Sequence, residues 1–173
     1  MTMPFGSNAT MYILTDGKIT AHITNFGATI HRLYVPDADG KLDDVVLGFD
    51  SQQEYVKSTT FFGTVVGRGA NRTKCGKFTL NGKQFQLGIN DGNNNLHCGP
   101  DYYKDRIWTV ETVSENSIIM RLDSPDGDQG FPGNAVIRVT YTLENGALHI
   151  IYDADRTTYS YFALFKNSIL LPK

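Results

Sequence analysis

The side chains that could do chemistry in this chain are dispersed, and most local patterns that would join them into a site are missing. The four histidines, His22, His31, His97 and His149, show no His-x-x-x-His spacing, and Cys75 and Cys98 form no Cys-x-x-Cys pair. Zinc-type ligand spacing is therefore not encoded locally. Asp37-Ala38-Asp39-Gly40 begins as a calcium loop does but lacks the further ligands and the distal Glu of an EF-hand. No metal site is expected. Gly67-Arg68-Gly69-Ala70-Asn71-Arg72 opens as Gly-x-Gly, yet Arg72 stands where a dinucleotide fingerprint needs Gly or Ala, and no parallel βαβ pattern surrounds it. The Walker pattern and the Gly-x-Ser-x-Gly nucleophile elbow are both absent.

What remains is a set of polar groups on glycine-rich turns. Arg68, Asn71 and Arg72 follow an expected strand, and His97 lies in Asn94-Asn95-Leu96-His97-Cys98-Gly99-Pro100. Arg and Asn supply planar donors to hydroxyl oxygens, and His exchanges protons near neutral pH. Together they suit a neutral, polyhydroxylated ligand. Phe61, Phe62, Tyr102, Tyr103 and Trp108, nearby in sequence, could face the apolar side of a sugar ring. Two plainer roles stay open: Arg72 equally suits a carboxylate partner, and His97 could serve only to tie down its own loop. A carbohydrate site built this way requires Arg72 and His97, far apart in the chain, to meet at one hollow. A phosphorylated sugar would need a cationic pocket, for which Arg68 and Arg72 are the candidates.

The elements that must position these groups are short β-type runs punctuated by turns. Ile19 to Thr24 alternates apolar and polar, as a half-buried strand does. Thr29–Val35, Val45–Leu47, Phe61–Val66, Trp108–Val113, Ser117–Leu122, Ala135–Leu143 and Ala147–Asp153 continue the pattern. Phe78-Thr79-Leu80 and Phe85-Gln86-Leu87 flank Asn81-Gly82, whose residues readily take the positive φ of a tight hairpin. Asp16-Gly17, Asp39-Gly40, Asp126-Gly127 and Asn145-Gly146 mark further turns. No segment shows a long helical period with caps. The expected class is all-β, an antiparallel sandwich or barrel.

Composition narrows the function classes. The chain has 173 residues, with 18 acidic and 16 basic side chains and a formal net charge of −2. That length suits one domain or part of one, and the near-neutral balance gives no electrostatic footprint for nucleic acid or an anionic membrane. No apolar run reaches the roughly 18 residues of a membrane helix, and the first residues lack a basic, then apolar, leader pattern. Two cysteines make no disulfide framework, so a cytoplasmic location is expected.

The chain resembles the N-terminal half of the aldose 1-epimerase (galactose mutarotase) family. The resemblance is carried, in the family's order, by Asn25-Phe26-Gly27-Ala28-Thr29-Ile30, Val35-Pro36-Asp37-Ala38-Asp39-Gly40, Asp44-Val45-Val46-Leu47-Gly48-Phe49, the run Phe62 to Arg72, Gly76 to Lys83, Asn94-Asn95-Leu96-His97, Trp108, and Ser124 to Asn134. It runs from about Leu14 to Asp153. It implies an antiparallel β-sandwich with a sugar cleft, incomplete at its C-terminal end, and the interconversion of α and β anomers of free aldoses such as galactose and glucose. In that reaction a base takes the anomeric hydroxyl proton, an acid protonates the ring oxygen, the ring opens and it closes on the other face. No metal or organic cofactor is implied. Asn71 and Arg72 match the family's sugar-hydroxyl contacts and His97 its first active-site histidine, while Cys98 stands where the family usually has glycine.

The departures lie at the end. Thr157-Thr158-Tyr159-Ser160-Tyr161-Phe162-Ala163-Leu164 resembles the family's Thr-Asn-His-Ser-Tyr-Phe-Asn-Leu segment after a deletion, which puts Tyr159 at the general-acid histidine and Tyr161 at the tyrosine beside the sugar. A phenol with pKa near ~10 is a poor acid at neutral pH. The family's sugar-binding Asp and general-base Glu lie further downstream and have no counterpart here. The expectation is one partial domain over 1–173 with a divergent tail at 156–173, little epimerase activity, and self-association through uncovered sheet edges. A non-catalytic sugar-binding or structural β-domain is the alternative.

Overall fold

The computed structural model describes residues 1–156 and the strand at 165–167. In chain order the elements are β1 (Thr2–Pro4), β2 (Thr10–Thr15), β3 (Thr20–Thr24), β4 (Thr29–Pro36), β5 (Leu42–Asp44), α1 (Gln52–Lys57), β6 (Thr64–Val66), β7 (Arg72–Thr73), β8 (Lys77–Leu80), β9 (Lys83–Gln86), β10 (Asn95–Leu96), β11 (Thr109–Val113), β12 (Ser117–Ser124), β13 (Ala135–Glu144), β14 (Ala147–Arg156) and β15 (Phe165–Asn167). They form a five-stranded sheet, β1-β2-β3-β4-β5, a four-stranded sheet, β11-β12-β13-β14, and three two-stranded ribbons, β7 with β10, β8 with β9, and β6 with β15. Every pairing is antiparallel.

The period-2 pattern explains the core. Along β13 burial alternates strictly, with Ile137, Val139, Tyr141 and Leu143 inward. From β12, Ile118, Met120 and Leu122 join them, and the five-stranded sheet contributes Leu14, Ala21, Ile23 and Ile30 to the same cluster. Each such side chain contributes about 2 kcal/mol on burial. The hydroxyl of Tyr141 donates to the carbonyl of Ala28 at 2.6 Å and so ties one sheet's core face to the other layer. At the far end the hairpin between β13 and β14 turns on Asn145 (φ 55°) and Gly146 (φ 79°), and the Gly146 N–H donates to Asp16, in the turn between β2 and β3, at 2.6 Å. β14 ends the four-stranded sheet among the described residues, with Ile151 56% exposed.

The all-β antiparallel architecture expected from sequence is the one observed, and the Asn81-Gly82 hairpin forms between β8 and β9 in register. Two expectations need correction. The strand expected at Val45–Leu47 lies earlier, at Leu42–Asp44, where it pairs with Tyr34–Pro36. The run Phe61–Val66 is strand only over its last three residues, because Phe61 and Gly63 take part in a turn that hydrogen-bonds Thr64 to the Phe61 carbonyl. A short helix, α1, is also present. Its Ser51 and Glu54 cap each other reciprocally, a box readable in the sequence Ser-x-x-Glu.

Candidate functional site

One of the ribbons, β7 with β10, builds the site. The glycine turn after β6 delivers the chain into β7, and β10 runs back beside it with Leu96 opposite Arg72 and Asn95 opposite Thr73. One step beyond the Arg72–Leu96 pair, Asn71 and His97 face each other. The His97 N–H donates to the Asn71 carbonyl at 3.1 Å, and the Asn71 N–H donates to Nδ1 of His97 at 3.0 Å. Both residues are left-handed, Asn71 at φ 65° and His97 at φ 52°, a conformation that Asn and His tolerate better than most side chains. The three residues singled out from sequence, Asn71, Arg72 and His97, are thus neighbours across one strand pair, although Arg72 and His97 lie 25 positions apart in the chain.

The surroundings give each group a defined state. His97 packs edge-on against Phe61 at 4.7 Å between ring centroids, and Phe61 in turn meets Tyr102 at 5.1 Å. Burial, and then the positive charge of Arg72, hold the His97 imidazole below its ordinary pKa, so it is neutral at pH 7. Arg72 donates through Nε to Oδ2 of Asp91 at 2.6 Å. Asn71 accepts the Arg72 N–H on Oδ1 at 2.9 Å, which keeps its side-chain amide beside the arginine. Lys104 is buried beneath the same aromatic wall, its ammonium 5.8 Å from the Phe61 ring and 5.7 Å from the Tyr102 ring. It is tied to Asp105 at 2.7 Å and to the Ser58 carbonyl.

Below this surface Cys98 and Arg68 anchor the two loops. Cys98 is 1% exposed and packs with Leu87 and Phe131. Its Sγ accepts the Gly69 N–H at 2.8 Å and donates to the Gly69 carbonyl at 3.0 Å. The extra side chain beside His97 therefore holds the glycine turn. Arg68, read from sequence as a polar group for ligand on this turn, is fully buried. Its terminal nitrogens donate to the carbonyls of Ser124, Pro132 and Gly133 at 2.9 to 3.2 Å, and its ring-facing carbon lies 5.7 Å from the Phe131 centroid. The guanidinium serves the 124–133 loop, so a cationic pocket shared by Arg68 and Arg72 is not formed.

The aromatic expectation divides. Phe61 lies at the site, but Tyr103 and Trp108 are both wholly buried in the central core and present no ring to a ligand. Their spacing gave no way to tell a core ring from a surface one. Tyr159 and Tyr161 lie outside the described residues. Asp91 escaped sequence reading: it stands 19 positions from Arg72, in a stretch whose visible signal is only a turn.

With this geometry in place, comparison with known proteins gives one consistent result. The family model described as Aldose 1-epimerase matches residues 10–164. Galactose mutarotase of Sus scrofa is 42% identical over 159 residues, covering 87% of this chain and 46% of that protein. Galactose mutarotase of Bos taurus is 39% identical over 171 residues, covering 94% and 50%. The crystal structure of a GalM/aldose epimerase homologue from C. elegans superposes with a TM-score of 0.89 at 34% identity, covering 94% of this chain and 50% of that one. The chain spans about half the length of the curated relatives it matches.

Proposed function

The chain belongs to the aldose 1-epimerase family, and from that premise we propose that it carries the sugar-hydroxyl contacts of an aldose mutarotase without the full catalytic set. Asn71 and Arg72 donate to ring hydroxyls, and His97 donates from Nε2 to a sugar oxygen. The ligand is a free aldose such as galactose or glucose. The reaction of the complete machinery is ring opening and closing between α and β anomers, with a base on the anomeric hydroxyl and an acid on the ring oxygen. No organic cofactor or metal enters that scheme, and two free thiols, Cys75 and Cys98, suit a reducing cytoplasm.

One observation carries this: the antiparallel step that sets Arg72 beside Leu96 and Asn71 against His97. It brings a planar cation, an amide and a neutral imidazole donor together on one short ribbon, the mixture that a polyol needs. The acid is the weak part of the set. In the resemblance Tyr159 takes its place, and a phenol is a poor acid at neutral pH, so this chain alone has little epimerase activity.

Polarimetry of freshly dissolved α-galactose separates the outcomes. The expected result is an anomerisation rate indistinguishable from buffer, together with saturable amide shifts at Asn71 and His97 on titrating galactose. A protein-dependent rate approaching that of a complete mutarotase overturns the catalytic part. No saturable shift at any concentration overturns sugar binding.

A further inference from the structure

Among the described residues, Arg72 is held by one carboxylate. Its Nε donates to Oδ2 of Asp91 at 2.6 Å, with side-chain exposures of 56% and 35%. A guanidinium gripped through Nε keeps both terminal nitrogens on its far side, free to fork onto two oxygens of a ligand. Among the described residues, Asp91 is the ion-pair partner of Arg72.

Asp91 is itself fixed by the loop that carries it. Its N–H donates to the Asn94 carbonyl at 3.1 Å, and the Asn94 N–H returns to the Asp91 carbonyl at 2.9 Å. The preceding residue, Asn90, accepts the Leu96 N–H on Oδ1 at 2.6 Å and donates from Nδ2 to the Leu96 carbonyl at 2.8 Å and to the Tyr102 hydroxyl at 2.7 Å. The carboxylate, β10 and the wall of rings are therefore one assembly. Two other cations are committed elsewhere: Arg68 to the 124–133 loop and Lys104 to Asp105.

We propose that Asp91 is a positioning and specificity-determining residue of this site, aiming the Arg72 fork at the ligand while cancelling its charge, so that an uncharged sugar is taken in preference to a sugar phosphate. This rests on the sugar-binding role given above to Asn71, Arg72 and His97. Arg72 keeps its donors but loses its net attraction for an anion, and a dianionic phosphate meets the Asp91 carboxylate beside the guanidinium.

The test has two arms on the full chain. The first needs no sugar: hydrogen exchange of the Arg72 Nε–H, read by ¹⁵N NMR, in the wild type, Asp91→Asn and Asp91→Glu. Protection in the wild type, loss in Asp91→Asn and recovery in Asp91→Glu are expected. Equal exchange in all three overturns the positioning role. The second arm compares binding of galactose and galactose 6-phosphate by NMR titration. In Asp91→Asn the ratio of their affinities should shift toward the phosphate by about twofold to fivefold, the size of one partly exposed charge interaction. An unchanged ratio overturns the specificity role. If the first arm succeeds and the wild type binds neither sugar, the sugar-binding proposal fails and the selectivity with it, while Asp91 remains the residue that holds Arg72.

Discussion

Nδ1 of His97 accepts the backbone N–H of Asn71 at 3.0 Å. A ring nitrogen that accepts cannot carry the proton, so the neutral imidazole holds it on Nε2. His97 therefore meets a ligand as a donor, and a proton-abstracting role through Nε2 is closed to it while this contact lasts. Burial first and Arg72 second lower its pKa. The ¹⁵N pattern of His97 should thus show the Nε2–H tautomer at pH 7 and a midpoint below 6.5. Arg72→Ala should raise that midpoint without restoring it fully, because burial is the larger cause. A midpoint at or above 6.5 in the wild type would overturn the buried setting, and an Nδ1–H tautomer would show the contact with Asn71 to be absent.

Arg68 tests whether the floor of the site depends on a buried guanidinium. It donates to the Ser124 and Gly133 carbonyls and to the Ser124 hydroxyl, and its own N–H donates to Gln129 at 3.0 Å. Arg68→Met keeps the length and strips the donors, leaving inward carbonyls bare. The expected loss is ~2–5 kcal/mol, since several buried acceptors lose their donor at about 1–3 kcal/mol each at most, read as a lowered urea midpoint. Arg72→Met, on the exposed side of the same turn, should lower it by under about 1 kcal/mol. Equal losses would refute the division between an inner and an outer arginine.

That division marks where the sequence stops being legible. The strand alternation in Ala135–Leu143 and the Asn-Gly turns are local signals, and the sheets and hairpins they imply are present. Asn71, Arg72 and His97 were recognisable by type and by family resemblance, and the β7–β10 pairing places them together. Arg68 and Arg72 look alike in sequence, since the four-residue spacing of a glycine turn does not say which side chain points inward. Trp108 and Tyr103 were misread for the same reason: a ring's place in core or surface is decided by the second layer, which arrives from β12 and β13. The Asp91 ion pair depends on two separate loops meeting, and no local pattern encodes that.

The two thiols should react very differently. Cys98 is buried, and burial pushes its thiol up to about 12; Cys75 is exposed. Thiolate is the reactive form, so only an accessible cysteine with available thiolate is alkylated readily. Iodoacetamide at pH 8 should add one label to the native protein, at Cys75, and two in guanidinium. Rapid native labelling of Cys98 would mean that the contact between Sγ and Gly69 opens. Cys98→Ala, which removes that contact and leaves the backbone left-handed at φ 62°, should destabilise by about 1–3 kcal/mol, as loss of a buried polar partner does.

The acid limb of stability should belong to His31 before any carboxylate acts. His31 is 8% exposed and packs edge-on against Phe5 at 4.9 Å. Burial, followed by the neighbouring Arg32, lowers its pKa to about 4. An unfolded histidine titrates near 6.5, so the unfolded chain binds the extra proton over the interval between. The contribution is fully present above pH 6.5 and is lost as pH falls from there toward 4. The shift corresponds to about 3 kcal/mol at most. His22 and His97 are also depressed and add to the same limb. Asp16 acts elsewhere: backbone N–H groups of Ile19, Gly146 and Lys18 lower it to about 2, so its stabilisation is lost only below its unfolded value near 4. Urea midpoints at pH 7.5, 5.5 and 4.5 should therefore fall steeply in the wild type and much less in His31→Leu. If both proteins lose the same stability over that interval, the proton is taken up somewhere other than the imidazole packed on Phe5.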